Sequence, residues 1–260
     1  MKKIPHIFIL ALLLNATIGF AQNNTRISDN NNIGWYTYNG TFKINKKFGI
    51  HTEYQFRRDN YITDLQQGLT RVGVNYQLNP NIQLRAGYAH IETFPYGDIN
   101  LNGFGKDFTE HRAFEMATVT DKISIVDFSH RFMLEQRWVG RYSTANLTTE
   151  DEFLFLNRFR YMFRMTIPLK GKSVENKTPY FAAYNEIFIG FGKNVNENIF
   201  DQNRIGLLLG YRFNKSVRIE GGYLNQIVQL GREVGGRNVF QYNNGIIVNT
   251  VFNFDLTQKK

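Results

Sequence analysis

Cysteine is absent from the 260-residue chain, proline appears five times and tryptophan twice. Without cysteine there is neither a disulfide scaffold nor a thiolate metal centre. Beyond the N-terminal segment no apolar run reaches the roughly 18 residues a spanning helix needs, which excludes a helical membrane protein. A mean hydropathy of −0.37 agrees. That exclusion does not reach a barrel, because barrel strands alternate apolar with polar residues and average to near-neutral hydropathy. The chain is rich instead in aromatics and in basic residues. Hydrophobic residues make up 42% of it and aromatics 15%, led by 23 Phe and 14 Tyr. Such a content argues against disorder and for one large structured domain. Lys and Arg number 31 against 22 Asp and Glu, for a formal charge of +9.

Residues 1–21, MKKIPHIFILALLLNATIGFA, combine Lys2 and Lys3, an apolar stretch from Ile7 to Leu14, and small residues Gly19 and Ala21 flanking Phe20. This is the pattern of a cleavable secretory signal peptide, with the cut expected after Ala21. No cysteine follows the cut, so a lipoprotein anchor is not expected. Loss of Lys2 and Lys3 lowers the charge by two and leaves an exported basic protein. Its expected partners are outer-membrane lipid and small anionic solutes, and not nucleic acid. Residues 22–32, QNNTRISDNNN, are polar and read as a flexible lead-in. The domain proper is then 33–260.

From Phe48 onward the chain alternates. Ile50, Thr52, Tyr54 and Phe56 fall on one face, and His51, Glu53, Gln55 and Arg57 on the other, which is the period of a strand. Further on, Phe153, Phe155, Phe159, Tyr161, Phe163, Met165 and Ile167 share a face opposite Arg158, Arg160 and Arg164. The same pattern marks eleven segments, at about 33–44, 48–58, 66–78, 81–92, 108–118, 122–138, 153–168, 179–190, 203–213, 216–229 and 239–254. Segments this long suit tilted membrane-spanning strands. Short connections are expected near Asn79-Pro80, Thr120-Asp121 and Asn214-Lys215, and long ones at 93–107, 139–152, 191–202 and 230–238. That asymmetry describes an all-β, antiparallel transmembrane β-barrel of the bacterial outer membrane, of about 10–12 strands. Single-chain bacterial barrels have even strand numbers, so twelve is preferred over eleven.

If the aromatic faces meet lipid, the opposite faces line the lumen. Alternation turns inward Arg57, Arg71, Arg85, Arg131, Arg137, Arg158, Arg160, Arg164, Arg204, Arg212 and Arg218, joined by Glu53, Glu135, Glu186 and Glu220. In the segment 108–118, Glu110 and Arg112 share one face and His111 and Glu115 the other, and alternation leaves open which pair is inside. An Arg facing lipid at the midplane costs about 2–4 kcal/mol, so a shared sealed interior is the low-energy arrangement. Two readings of that interior stand: a hydrogen-bonded plug of paired Arg and Glu, or a polar passage or binding cavity favouring anions. An enzyme is the less favoured class. His51 and Glu53 share a face, as in the base and orienting carboxylate of a hydrolase, but no Ser or Cys follows at strand spacing. Ser129 and His130 are adjacent and point to opposite faces. The histidines are too scattered for a metal site. Gly235-Gly236 lacks the strand–loop–helix setting of a nucleotide fingerprint, and no cofactor is expected.

The runs IHTEYQFR (50–57), EHRAFE (110–115), HRFMLEQR (130–137), NRFRYMFRMTIPL (157–169), YNEIFIGF (184–191) and FDQNRIGLLLGYRF (200–213) resemble the domain-of-unknown-function family 2490. GWYTYNG (34–40) and EGGYLNQ (220–226) fit it as well. The resemblance implies an exported outer-membrane barrel of Bacteroidetes-type bacteria, without an assigned activity and without catalytic residues. It marks His51, Glu53, Arg57, Glu110, His111, Arg112, Arg131, Glu135, Arg137, Arg158, Arg160, Glu186, Arg204 and Tyr211 as positions matching family motifs. The expected function is a non-enzymatic small-solute channel, binding barrel or structural barrel. The alternatives are a membrane-embedded lipid hydrolase and a soluble exported β-sandwich, whose aromatic faces would be buried between two sheets.

Overall fold

Period-two alternation sustained over a dozen residues leaves a strand with one apolar and one polar face, and neither face is satisfied until the sheet curls. In the computed structural model, which describes residues 26–196 and 198–257, it curls completely. Eleven strands follow one another: β1 (Arg26–Lys43), β2 (Phe48–Asp59), β3 (Asp64–Asn79), β4 (Ile82–Thr93), β5 (Phe108–Ile123), β6 (Val126–Arg141), β7 (Glu152–Pro168), β8 (Thr178–Phe191), β9 (Phe200–Arg212), β10 (Val217–Val234) and β11 (Arg237–Asp255). Each is antiparallel to its neighbour in sequence, and β1 closes the barrel on β11. A closed sheet has no edge left to aggregate. It also excludes the β-sandwich.

The strand count is eleven, the number of periodic segments, and not the even number preferred from the general rule. An odd count has a geometric consequence. Successive hairpins reverse direction, so the first and eleventh strands run the same way and the seam must be parallel, as it is from Arg26↔Asn238 to Lys43↔Asp255. Backbones approach closely there. A Cβ at Gly245 would lie 1.7 Å from the Ile33 carbonyl oxygen, so glycine is required.

We call the rim where β1 begins the upper rim and the one where β11 ends the lower rim. Connections 94–107, 142–151 and 192–199 are at the upper rim, and 44–47, 80–81, 124–125 and 213–216 at the lower one. Four expectations are corrected. Residues 26–32 are the start of β1 and not a flexible lead-in, because their backbone pairs with β11. The expected loop 230–238 is a two-residue hairpin at Gly235 and Gly236, with φ of +58° and +72°, values that glycine adopts without strain. The turn expected at Thr120-Asp121 lies at 124–125, since polar residues at a rim continue the ladder in water without breaking it. The longer connection 169–177 sits on the lower rim, where Val174 tucks against the interior. The expected signal peptide, 1–21, lies outside the described residues.

Outward faces carry the apolar residues. Val72, Val74, Leu207, Leu209, Ile219 and Ile246 are exposed around the wall. Aromatic pairs ring it near the lower rim, with Phe42–Phe254 and Phe48–Tyr76 centroids each 5.1 Å apart, and near the upper rim, with Trp138–Phe155 at 5.3 Å. Inside, one sector is dry: Ile33, Trp35, Tyr180, Ala182, Leu208, Leu224 and Ile247 form an apolar cluster inside the lumen. The remaining sector holds charge.

Candidate functional site

Strand register sets the first layer of the charged sector. Glu53 lies directly opposite Arg71, Glu135 opposite Arg158 and Glu186 opposite Arg204, so cross-strand pairs of opposite sign are built into the ladder. Glu53 accepts from Arg71 Nη1 at 2.6 Å. Glu135 takes Arg158 Nη2 at 2.5 Å on one oxygen and Arg160 Nη1 at 2.8 Å on the other. Glu186 Oε1 receives Arg160 Nη2 at 2.7 Å and Arg131 Nη2 at 2.8 Å. In β5 the pair inside is Glu110 and Arg112: Glu110 accepts from Arg112 Nε at 2.6 Å and from Arg137 Nε at 2.5 Å, while His111 stays outside against Phe153. Lower down, Arg164 meets Glu220 at 2.6 Å, and Tyr180 donates to the same carboxylate at 2.9 Å.

These pairs form one belt across the lumen. Glu135 and Arg158 are each 1% exposed, so no water column passes beside them. Paired, charge-assisted contacts are what make so many buried charges tolerable. Two spaces lie on either side of the belt and share Arg204 in their walls. Below it is a vestibule of about 780 Å³, whose lining includes His51, Arg85, Arg131, Arg164, Arg218 and Asn249. Above it is a cavity of about 150 Å³, bounded by Arg57, Gln67, Arg112, Asp201, Arg204 and Arg232. Loop 94–107 folds over the upper space. Tyr96 is buried there and donates to Gln241 Oε1 at 2.8 Å, Gln241 donates to the Ile99 carbonyl at 2.9 Å, and Arg232 to the Asn100 carbonyl at 2.6 Å.

All the residues expected inside face inward, but not all join the belt. Arg57, Arg85, Arg204, Arg212 and Arg218 have no carboxylate at ion-pair distance among the described residues. Arg85 donates to Asn75 at 2.5 Å, and Arg212 donates at the lower rim to the Val174 carbonyl at 2.9 Å. His51 and Glu53 do meet, Nε2 to Oε2 at 3.3 Å. Glu53 is already engaged by Arg71 and Gln55, and His51 Nδ1 is buried without a partner. Among the described residues no three His, Asp or Glu gather as a metal site.

Alternation missed Asp201, Gln66 and Arg232. Asp201 and Gln66 each sit where one extra residue interrupts the ladder, Asp201 in β9 between the partners of Phe188 and Ile189 and Gln66 in β3 between those of Arg57 and Arg58, whereas Arg232 keeps the inward parity of Gln226 and Val228 and lies in the segment 230–238 expected as a loop. A bulge shifts the inside–outside count by one. Asp201 thereby reaches Arg158 Nη1 at 2.6 Å, and Gln66 accepts from Trp35 Nε1 at 2.8 Å.

The sequence model of a family described as "Protein of unknown function (DUF2490)" matches residues 32–234. The chain belongs to this family. The DUF2490 match takes in every belt residue and stops before β11. No curated protein matches the chain. Among solved structures it is similar to the NanC porin in its rhombohedral crystal form, at 11% identity and a TM-score of 0.46, over 85% of this chain and 97% of that one.

Proposed function

We propose that the protein is an outer-membrane barrel that binds small anionic solutes in the vestibule below its belt, and that the lumen is closed to through-flow in this arrangement. The observation that carries the reading is a vestibule of about 780 Å³ that ends on the ion-paired belt, in which Glu135 and Arg158 are each 1% exposed. Its placement in a bilayer is supported by the exposed apolar wall between two aromatic girdles, which water would penalise and lipid would match. Short connections at the lower rim support a periplasmic orientation for it, so the vestibule opens to the periplasm. The sign of the solute follows from its wall. The carboxylates of Glu53, Glu186 and Glu220 are already spent on Arg71, Arg160 and Arg164, while Arg85 and Arg218 keep unmatched charge.

Planar-bilayer recording combined with equilibrium dialysis tests this. The expected result is no unitary conductance from the native protein, together with saturable binding of short dicarboxylates that weakens in Arg85→Gln and Arg218→Gln. Steady cation-selective conductance, or dicarboxylate binding indifferent to both substitutions, would overturn it.

A further inference from the structure

The upper cavity is built differently from the rest of the lumen. Everywhere in the belt an inward Arg is oriented by Glu or Asp. In the upper cavity Arg57 and Arg204 are oriented by neutral amides instead. Arg57 Nη1 donates to Gln67 Oε1 at 2.5 Å and its Nε to Gln55 Oε1 at 2.9 Å; Arg204 Nη2 donates to Gln202 Oε1 at 2.7 Å, and Gln202 in turn accepts from Gln226 at 2.8 Å. Amide oxygens fix the two guanidinium planes. Glu186, directly across the ladder from Arg204, bonds Arg160 and Arg131 instead, and no carboxylate among the described residues is at ion-pair distance of Arg57 or Arg204. Both groups are buried, at 6% and 8% exposure, and both stack on Trp35, 3.8 and 4.8 Å from its ring centroid. Aromatic faces offset only part of the cost of burying a cation. Arg204 Nε, moreover, is buried with no partner at all.

The remaining charges of the cavity do not supply the missing anion. Glu110 is held by Arg112 and Arg137, and Asp201 by Arg158 and Arg137. Arg141 and Arg232 also line the wall without a carboxylate partner among the described residues. Two one-residue bulges converge on this space and turn Gln66 and Asp201 toward it, and the ladder of β10 is irregular beside Arg232. Bulges cluster where a side chain must be re-aimed for function.

We infer that the cavity above the belt is a second binding site, specific for one small free oxyanion of the phosphate class, held between the guanidinium groups of Arg57 and Arg204. Its volume of about 150 Å³ accommodates an ion of a few heavy atoms. Arg204 lines both this cavity and the vestibule, whereas Arg57, Arg141 and Arg232 line the upper cavity alone, so Arg57 is the group that tells this site from vestibule binding.

The test is calorimetric titration of the full chain in detergent with inorganic phosphate against chloride at matched ionic strength. One saturable phosphate per upper cavity is expected, about tenfold or more weaker in Arg57→Gln and Arg204→Gln. Gln202→Glu supplies an internal carboxylate beside Arg204. It should abolish phosphate binding while raising the thermal midpoint of the phosphate-free barrel, so that loss of binding there is not loss of folding. Absence of saturable phosphate binding, or binding unchanged in Gln202→Glu, would overturn the site. Loss of phosphate binding in Arg218→Gln but not in Arg57→Gln would also overturn it, while leaving the vestibule reading intact.

Discussion

Glu135 divides its two oxygens between Arg158 and Arg160, and each of those guanidinium groups has one further carboxylate. Asp201 serves Arg158 from the far side and Glu186 serves Arg160. Removing the shared carboxylate leaves buried positive charge facing positive charge. Glu135→Ala is expected to cost about 3–5 kcal/mol, the usual consequence of breaking a buried pair from one side. Heat-modifiable gel migration and a thermal midpoint measured in detergent would check it. Replacing Glu135 by Leu together with Arg158 by Met should recover much of that loss, because an apolar pair of similar volume carries no desolvation penalty. If the single and double variants are equally unstable, the belt is not the source of the effect.

Loops at the upper rim are tied down by side chains rather than by regular ladders, and one of these ties is titratable. Glu150, in the connection 142–151, accepts from the Thr109 backbone N–H at 2.6 Å and from its hydroxyl at 3.0 Å. Partial burial pushes its carboxyl up, but the Thr109 hydrogen bonds outweigh that and hold it below the ordinary carboxylate value. A depressed folded value means the tie is fully present above the ordinary carboxylate pKa of about 4.3 and is lost as pH falls through the folded value. Protection of the Thr109 amide from hydrogen exchange should therefore fall in acid relative to Glu150→Gln, which should show no such step.

With eleven strands the barrel begins at one rim and ends at the other, so Arg26 and Asp255 lie on opposite sides of the wall. The absence of cysteine makes this orientation testable without background. Single cysteines at exposed Asp98, in an upper loop, and at exposed Lys46, in a lower turn, can be labelled on intact cells with a membrane-impermeant maleimide. Labelling at Asp98→Cys and protection at Lys46→Cys is the expected outcome. The reverse pattern would turn the vestibule toward the outside, and equal labelling of both would remove the protein from a sealed membrane altogether.

Alternation by itself determined much of this molecule: eleven strand segments, most within a few residues of their bounds although β1 begins seven residues earlier, and the inward face of the charges from Glu53 to Glu220 apart from Asp201 and the Glu110–Arg112 pair, which it left open. It succeeds because a side chain's face depends only on its own strand, a local property with period two. The sequence did not reveal which inward Arg has a carboxylate. Arg158 and Arg204 are both buried arginines in alternating strands, yet one meets Glu135 and Asp201 and the other only Gln202 and two aromatic rings. That difference is decided by neighbours 23 and 43 residues away for Arg158, across ladders whose register the chain specifies only on closing. Bulges at Gln66 and Asp201 escaped for the complementary reason, since each breaks the local period at a space that exists only once the barrel is shut.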